Sequence, residues 1–181
     1  MEKTKDTVSW KTNWRIDKFK DQTGKIAKAL THGMPLEQAQ TQFNTAFMGT
    51  TQFASNIALN EGLQELIDII CGLGAPTKWD NANARIGVGD SDTTEAAAQT
   101  GLQAETNKTF KQMDVGYPQR SGQTAEWRVT FGSADANHAW EEFTVVNAAD
   151  DSGKNLNRKT ASKGTKSLGE TWVLSLQMTF A

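Results

Sequence analysis

Cysteine occurs once in these 181 residues, tyrosine once, histidine twice and proline three times. A single cysteine excludes an intrachain disulfide. Cys71 falls at helical spacing among apolar residues, where a buried structural thiol is expected and a nucleophile is not. His32 and His138 each lack a second ligand at metal spacing, so no zinc site is read. The longest apolar run, "LIDIICGLG", is short and contains Asp68, which excludes a helical membrane span. The opening "MEKTKDTVSWKTNW" is too charged for a secretory leader, and a soluble product made in the cytoplasm is the expectation. A net charge of −2 gives no overall pull towards nucleic acid.

What the chain does have is enough length for one domain with a real core, and too little for a second. Hydrophobic content is 37% and charged content 22%, which places it among globular proteins. Six tryptophans and eight phenylalanines mean that a few large rings carry the core. Charge is unevenly spread. Residues 1–28 hold eight Lys/Arg against four Asp/Glu and residues 154–181 five against one, leaving −10 between them. Basic ends around an acidic body suggest a steered contact or a tail.

Hydrophobic periodicity then sorts the chain. In "VSWKTNWRI", Val8, Trp10, Thr12, Trp14 and Ile16 alternate with polar residues, the period of a half-buried strand. Its two tryptophans bury at most about 250 Å² each. That is roughly 12 kcal/mol gross, against roughly 10–20 kcal/mol of backbone entropy for ten ordered residues. The strand therefore needs a sheet edge to complete its hydrogen bonds. Either it pairs with its own body or it is an arm that orders on a neighbour, and the surrounding lysines favour an external, acidic surface. Residues 24–57 read as an irregular, partly helical linker: "PLEQAQTQF" suits a short helix opened by Pro35, and "MGTTQFASN" has no period. The strongest helix is "NEGLQELIDIICGLG". Asn60 is placed to cap it, Leu63, Leu66, Ile67, Ile70 and Cys71 form its buried face, and Gly72 and Gly74 stop it.

From residue 84 onward the pattern is strand, in "ARIGVG", "KTFKQMDV", "QTAEWRVTFG", "HAWEEFTVVNA" and "NLNRKTA". The C-terminus is clearest, with Trp172, Leu174, Leu176, Met178 and Phe180 on one side and Val173, Ser175, Gln177 and Thr179 on the other. The expected fold is mainly β: an antiparallel β-sandwich or barrel body with one accessory helix and an extended N-terminal arm. Residues 1–23 would form the arm, 24–57 the linker and 58–181 the body.

Reactive chemistry is thin. "GVGDSD" lacks the third glycine of a dinucleotide fold, since Asp92 stands there after Gly87 and Gly89, and its two aspartates would repel a phosphate. Asp90, Asp92 and Glu95 supply oxygens for a cation, but too few for a calcium loop, and turn formation is the preferred reading. Ser121 in "RSGQ" is not in a nucleophile elbow. Glu141 and Glu142 are strand neighbours on opposite faces. Glu126 and Glu142 from adjacent strands are the one candidate pair for a hydrolase, each expected instead to decorate a solvent face. No catalytic residue, metal or other cofactor is assigned.

Four uncommon strings occur in order: "NANARIGVGDS", "QTGLQAETNKTFKQMDVGYP", "EWRVTFGSADANHAWEEFTVVNA" and "LNRKTASKGTKSLGETWVLSLQMTF". Over residues 58–181 the chain resembles structural proteins of tailed bacteriophages, most nearly the capsid decoration (cement) proteins of thermophilic long-tailed phages. The resemblance implies a homotrimer on the capsid exterior that clamps neighbouring subunits of the major capsid protein. Residues 8–19 would be the clamping arm, with Trp10, Trp14, Ile16 and Phe19 as its anchors. Residues 20–57 depart from the family's pattern. It implies a virion component with no nucleic-acid or membrane partner. The alternative within the same resemblance is a tail-fibre or receptor-binding module, with Trp79, Tyr117 or Trp127 exposed to stack on sugars.

Overall fold

The computed structural model describes residues 9–180. Ten strands and three helices follow in the order β1 (Trp10–Lys20), α1 (Lys25–Thr31), α2 (Leu36–Gln42), β2 (Phe47–Ala54), β3 (Ile57–Ala58), α3 (Asn60–Cys71), β4 (Arg85–Gly89), β5 (Lys108–Gln112), β6 (Gln119–Ser121), β7 (Thr124–Phe131), β8 (Glu142–Val146), β9 (Asn155–Thr160) and β10 (Glu170–Phe180). They make two five-stranded antiparallel sheets, β2-β1-β10-β7-β6 and β3-β9-β8-β4-β5. The mainly β sandwich expected from the strand periods is thus found.

The alternation along each strand builds the core. Trp14, Ile16, Val129, Leu174 and Leu176 of the first sheet meet Ile86, Val88, Phe143 and Val145 of the second. Between them Trp140 sits edge-on to Trp172 at 4.8 Å and to Phe131 at 4.9 Å, the geometry aromatic quadrupoles favour. Each sheet hides one row of side chains in this way and turns the other outward.

The expected arm is corrected from residue 10 onward; residues 1–8 lie outside the described residues. β1 is an interior strand, paired with β10 over its whole length from Trp10↔Phe180 to Lys20↔Glu170 and with β2 from Asn13↔Ala54 to Phe19↔Phe47. Trp14, Ile16 and Phe19 are wholly buried within their own chain. The physical reason is the hydrogen-bond demand raised by the strand itself: two sheet neighbours satisfy both of its edges. Phe19, three residues after Ile16, points to the opposite face. There it joins Val173 under Ile26, Leu30, Leu36 and Ala39 of α1 and α2, a second apolar cluster outside the sandwich.

The linker is corrected as well. Its two short helices cap the outer face of the first sheet, and "FMGTTQFA" is β2, an edge strand. Asp21 starts α1 by accepting from the amides of Ile26 (3.3 Å) and Ala27 (2.9 Å). Buried Asp17 accepts from Arg15, Gln40 and Thr50, fastening α2 and β2 to β1. Residues 10–57 therefore belong to the same body as residues 58–180.

Candidate functional site

Two surfaces stand out, and the first is the outer flank of α3. The helix lies on β9, and the contact is made by its smallest residue. A Cβ on Gly62 would sit 2.5 Å from the Asn155 carbonyl oxygen and 2.6 Å from the Leu156 Cα, so only glycine allows this approach. Two carboxylates tether the same side. Glu61 Oε1 accepts from the Asn155 amide at 2.9 Å, and Glu65 Oε1 accepts from the Thr77 amide at 2.6 Å. Leu66 and Ile69 pack inward beside them. The expected buried face is therefore corrected: Leu63 is 39% exposed, Ile67 54% and Ile70 74%, with Leu73 following at 54%. Cys71 is exposed too, because the helix is rolled onto its glycine and away from its widest apolar arc. Gly72, at φ 65°, ends the helix as read. Beside this ridge runs a cleft of about 300 Å³ between Leu63, Leu66, Ala58, Trp10 and Phe180.

The second surface is a polar groove of about 470 Å³ on the outer face of the first sheet. Its floor is two neighbouring cross-strand rows. One runs Gln52, Arg15, Ser175, Arg128; the other runs Asn13, Gln177, Glu126, Gln119. The α1–α2 turn at Gly33 and Pro35, with Glu37 in the first turn of α2, makes one wall, and the segment Val115–Tyr117 makes the other. The charged floor residues are held from within the chain. Arg15 Nε donates to Asp17 at 2.6 Å, a bond that raises the guanidinium pKa above its ordinary value. Arg128 Nε donates to Asp114 at 3.0 Å, and its guanidinium lies 4.2 Å from the centre of the Tyr117 ring. Burial pushes the Asp114 carboxyl up, against the opposing pull of its bonds to Thr130 and Arg128. Gln177 Nε2 donates to Glu126 at 3.0 Å.

Other sequence candidates are dispersed. Of the three rings offered for sugar stacking, Tyr117 lines the groove, whereas Trp79 and Trp127 are buried. Trp127 donates its indole N–H to the Trp79 carbonyl at 3.0 Å. Glu126 lies on β7 in the first sheet and Glu142 on β8 in the second, so the two cannot flank one bond. Glu142 is wholly buried rather than solvent-facing, since Arg158 meets it at 2.7 Å and the Gln103 and Ala104 amides donate to it.

That pair also accounts for "GVGDSD". A Cβ on Gly89 would strike Glu142 Oε1 at 2.5 Å, and one on Gly87 the Phe110 ring at 2.6 Å. The glycines make room for a buried ion pair and a ring. Asp90 accepts from Asn107 at 2.7 Å, while Glu95 is drawn to the Thr160 amide at 2.6 Å. Ser91 and Thr93 bond one another in a local turn. His32 Nδ1 lies 2.7 Å from the Lys28 carbonyl, and His138 Nδ1 lies 2.8 Å from that of Ala139. Ser121 is exposed on β6. Among the described residues, no three His, Cys, Asp or Glu are grouped to hold a metal.

No protein-family model, curated protein or solved structure matches the chain.

The groove was not legible as a site, because its floor comes from five strands, some of them far apart in sequence. The only local signal is the polar half of each alternating strand.

Proposed function

We propose that the chain is a structural protein of a tailed-phage virion, standing on the capsid exterior as a homotrimer and bridging neighbouring major capsid subunits. The reading rests on the sequence resemblance and on one structural observation, the apolar ridge that α3 turns outward. Gly62, Glu61 and Glu65 hold that helix in a fixed roll, so the ridge is a built surface rather than a core face caught half-open. An exposed patch of this kind marks a protein contact.

The spacing favours copies of the same chain as the occupant. Leu63, Ile67 and Ile70 are separated by four and three residues, the seam of a short parallel coiled coil. Isoleucine at both alternating seam positions favours three or four strands over two. The flanking positions carry Gln64, Cys71, Leu66 and Leu73, so like charges do not meet across the seam. Three copies then grip a shell by avidity, with each contact allowed to be weak.

The test combines sedimentation with shell binding. Wild-type protein is expected to run as a trimer and to bind expanded capsids lacking their decoration. The double variant Ile67→Glu/Ile70→Glu is expected to remain folded, run as a monomer and bind at least about tenfold more weakly. Wild-type protein that leaves such shells bare overturns the decoration reading.

A further inference from the structure

We infer that the polar groove on the outer face of the first sheet is a binding site for a neutral oligosaccharide. This assignment is independent of capsid decoration. A volume of about 470 Å³ lies within the span of small-molecule sites, roughly 300–1,000 Å³. The open half of this sheet face contrasts with the half that α1 and α2 cover. The covered half carries Phe19 and Val173, while the open half carries the two polar rows.

The lining selects the ligand class by elimination. Arg15 and Arg128 are already paired with Asp17 and Asp114, and Glu37 and Glu126 stand beside them, so neither a phosphate nor a carboxylate ligand gains net attraction. Nucleic acid needs an excess of cations, which the groove lacks. A peptide is recognised at a free strand edge or in apolar side-chain pockets. Here the floor is the face of a sheet whose strands β1, β10 and β7 are paired on both edges.

What the groove offers is a set of amides, Asn13, Gln52, Gln119 and Gln177. Each presents donors and an acceptor together. Sugar hydroxyls, which donate and accept at once, are the complementary chemistry. Tyr117 supplies an aromatic wall whose orientation is set by Arg128. The floor is already ordered by bonds within the chain, so a ligand meets a preformed surface and loses little affinity to rearrangement.

The experiment titrates the full chain with maltotriose, cellotriose and tri-N-acetylchitotriose, with sialyllactose as the charged comparison. Saturation-transfer NMR and calorimetry give the readout. At least one neutral trisaccharide is expected to bind saturably, at least about tenfold tighter than sialyllactose. Gln177→Ala, a truncation of an exposed side chain, is expected to weaken that binding about tenfold. Tyr117→Ala is expected to abolish it, with an unchanged circular-dichroism melt confirming the fold. Binding by none of the four sugars, by sialyllactose alone, or equally by wild type and Gln177→Ala would overturn the assignment. None of these results bears on shell binding, which the sedimentation and capsid assay reads separately.

Discussion

The first strand and the third helix exchange the roles their sequences suggest. β1, aromatic and flanked by lysines, has the composition of a segment seeking an outside partner, yet it is threaded between β2 and β10 with Trp14 and Ile16 wholly buried. α3, amphipathic and capped by glycines, has the composition of a helix laid on a core, yet it leaves Ile67 and Ile70 in solvent. The difference lies in the backbone, not in hydrophobicity. A strand has two edges to satisfy and is drawn inward by any sheet that offers both. A helix satisfies its own backbone, so its roll is free to be decided by one close approach, here at Gly62.

The sharpest way to break this comparison is to truncate one large side chain from each element. Trp14→Ala empties a site stacked on Phe53 and tilted against Phe143, and is expected to cost about 3–5 kcal/mol in urea unfolding. Trp14→Phe should cost much less, since it keeps a ring in place and removes a buried indole N–H that finds no partner among the described residues. Ile70→Glu is expected to change unfolding by no more than about 0.5 kcal/mol, while raising the concentration needed for self-association. Equal unfolding losses for Trp14→Ala and Ile70→Glu would mean that both side chains are core.

A smaller effect sharpens the account of the helix. Gly62→Ala places a methyl group against the backbone of Asn155 and Leu156, which cannot retreat as a flexible side chain would. A loss of about 1–3 kcal/mol is expected, together with faster amide exchange in α3. Gly72→Ala at the helix end meets nothing within 4 Å and carries only the cost of φ 65°, roughly 1–2 kcal/mol. It should leave exchange in the rest of the helix unchanged.

The legible parts of the fold were those whose pattern is local. β10 and β7 alternate cleanly because one face of each lies against the opposite sheet, and Gly72 ended α3 because a left-handed turn there wants glycine. β2 was hidden because an edge strand buries little: its residues alternate only between half-buried and exposed, so threonine and glutamine dilute the period. The roll of α3 was hidden because a hydrophobicity pattern counts Gly62 as nothing, although its lack of a side chain is what seats the helix. Glu142 read as a surface carboxylate because its partner Arg158 lies 16 residues away on the next strand. The groove needed the sheet order itself, which places β1 beside β10 and β10 beside β7.

The smallest effect extends the comparison to charge. The enclosure that swallows β1 also holds cations that α3 has no counterpart for. Lys18, on the inward side of β1, lies 3.6 Å from the centre of the Trp172 ring, and burial lowers its pKa below the ordinary 10.5. Lys166, in the turn leading to β10, donates to the Gly132 carbonyl at 2.7 Å and to Asn137 at 2.9 Å. Burial brings its pKa down from 10.5 to about 8. Between about pH 8 and 10.5 the unfolded chain thus binds the proton that folded Lys166 has released, and stability rises with pH wherever the unfolded state holds more protons. The wild-type melting temperature is therefore expected to rise relative to Lys166→Met as pH goes from 8 towards 10.5, and Lys18, present in both proteins, drops out of that difference. A gap between the two proteins that stays constant across that window would mean Lys166 keeps its proton in the fold, with its two hydrogen bonds outweighing burial.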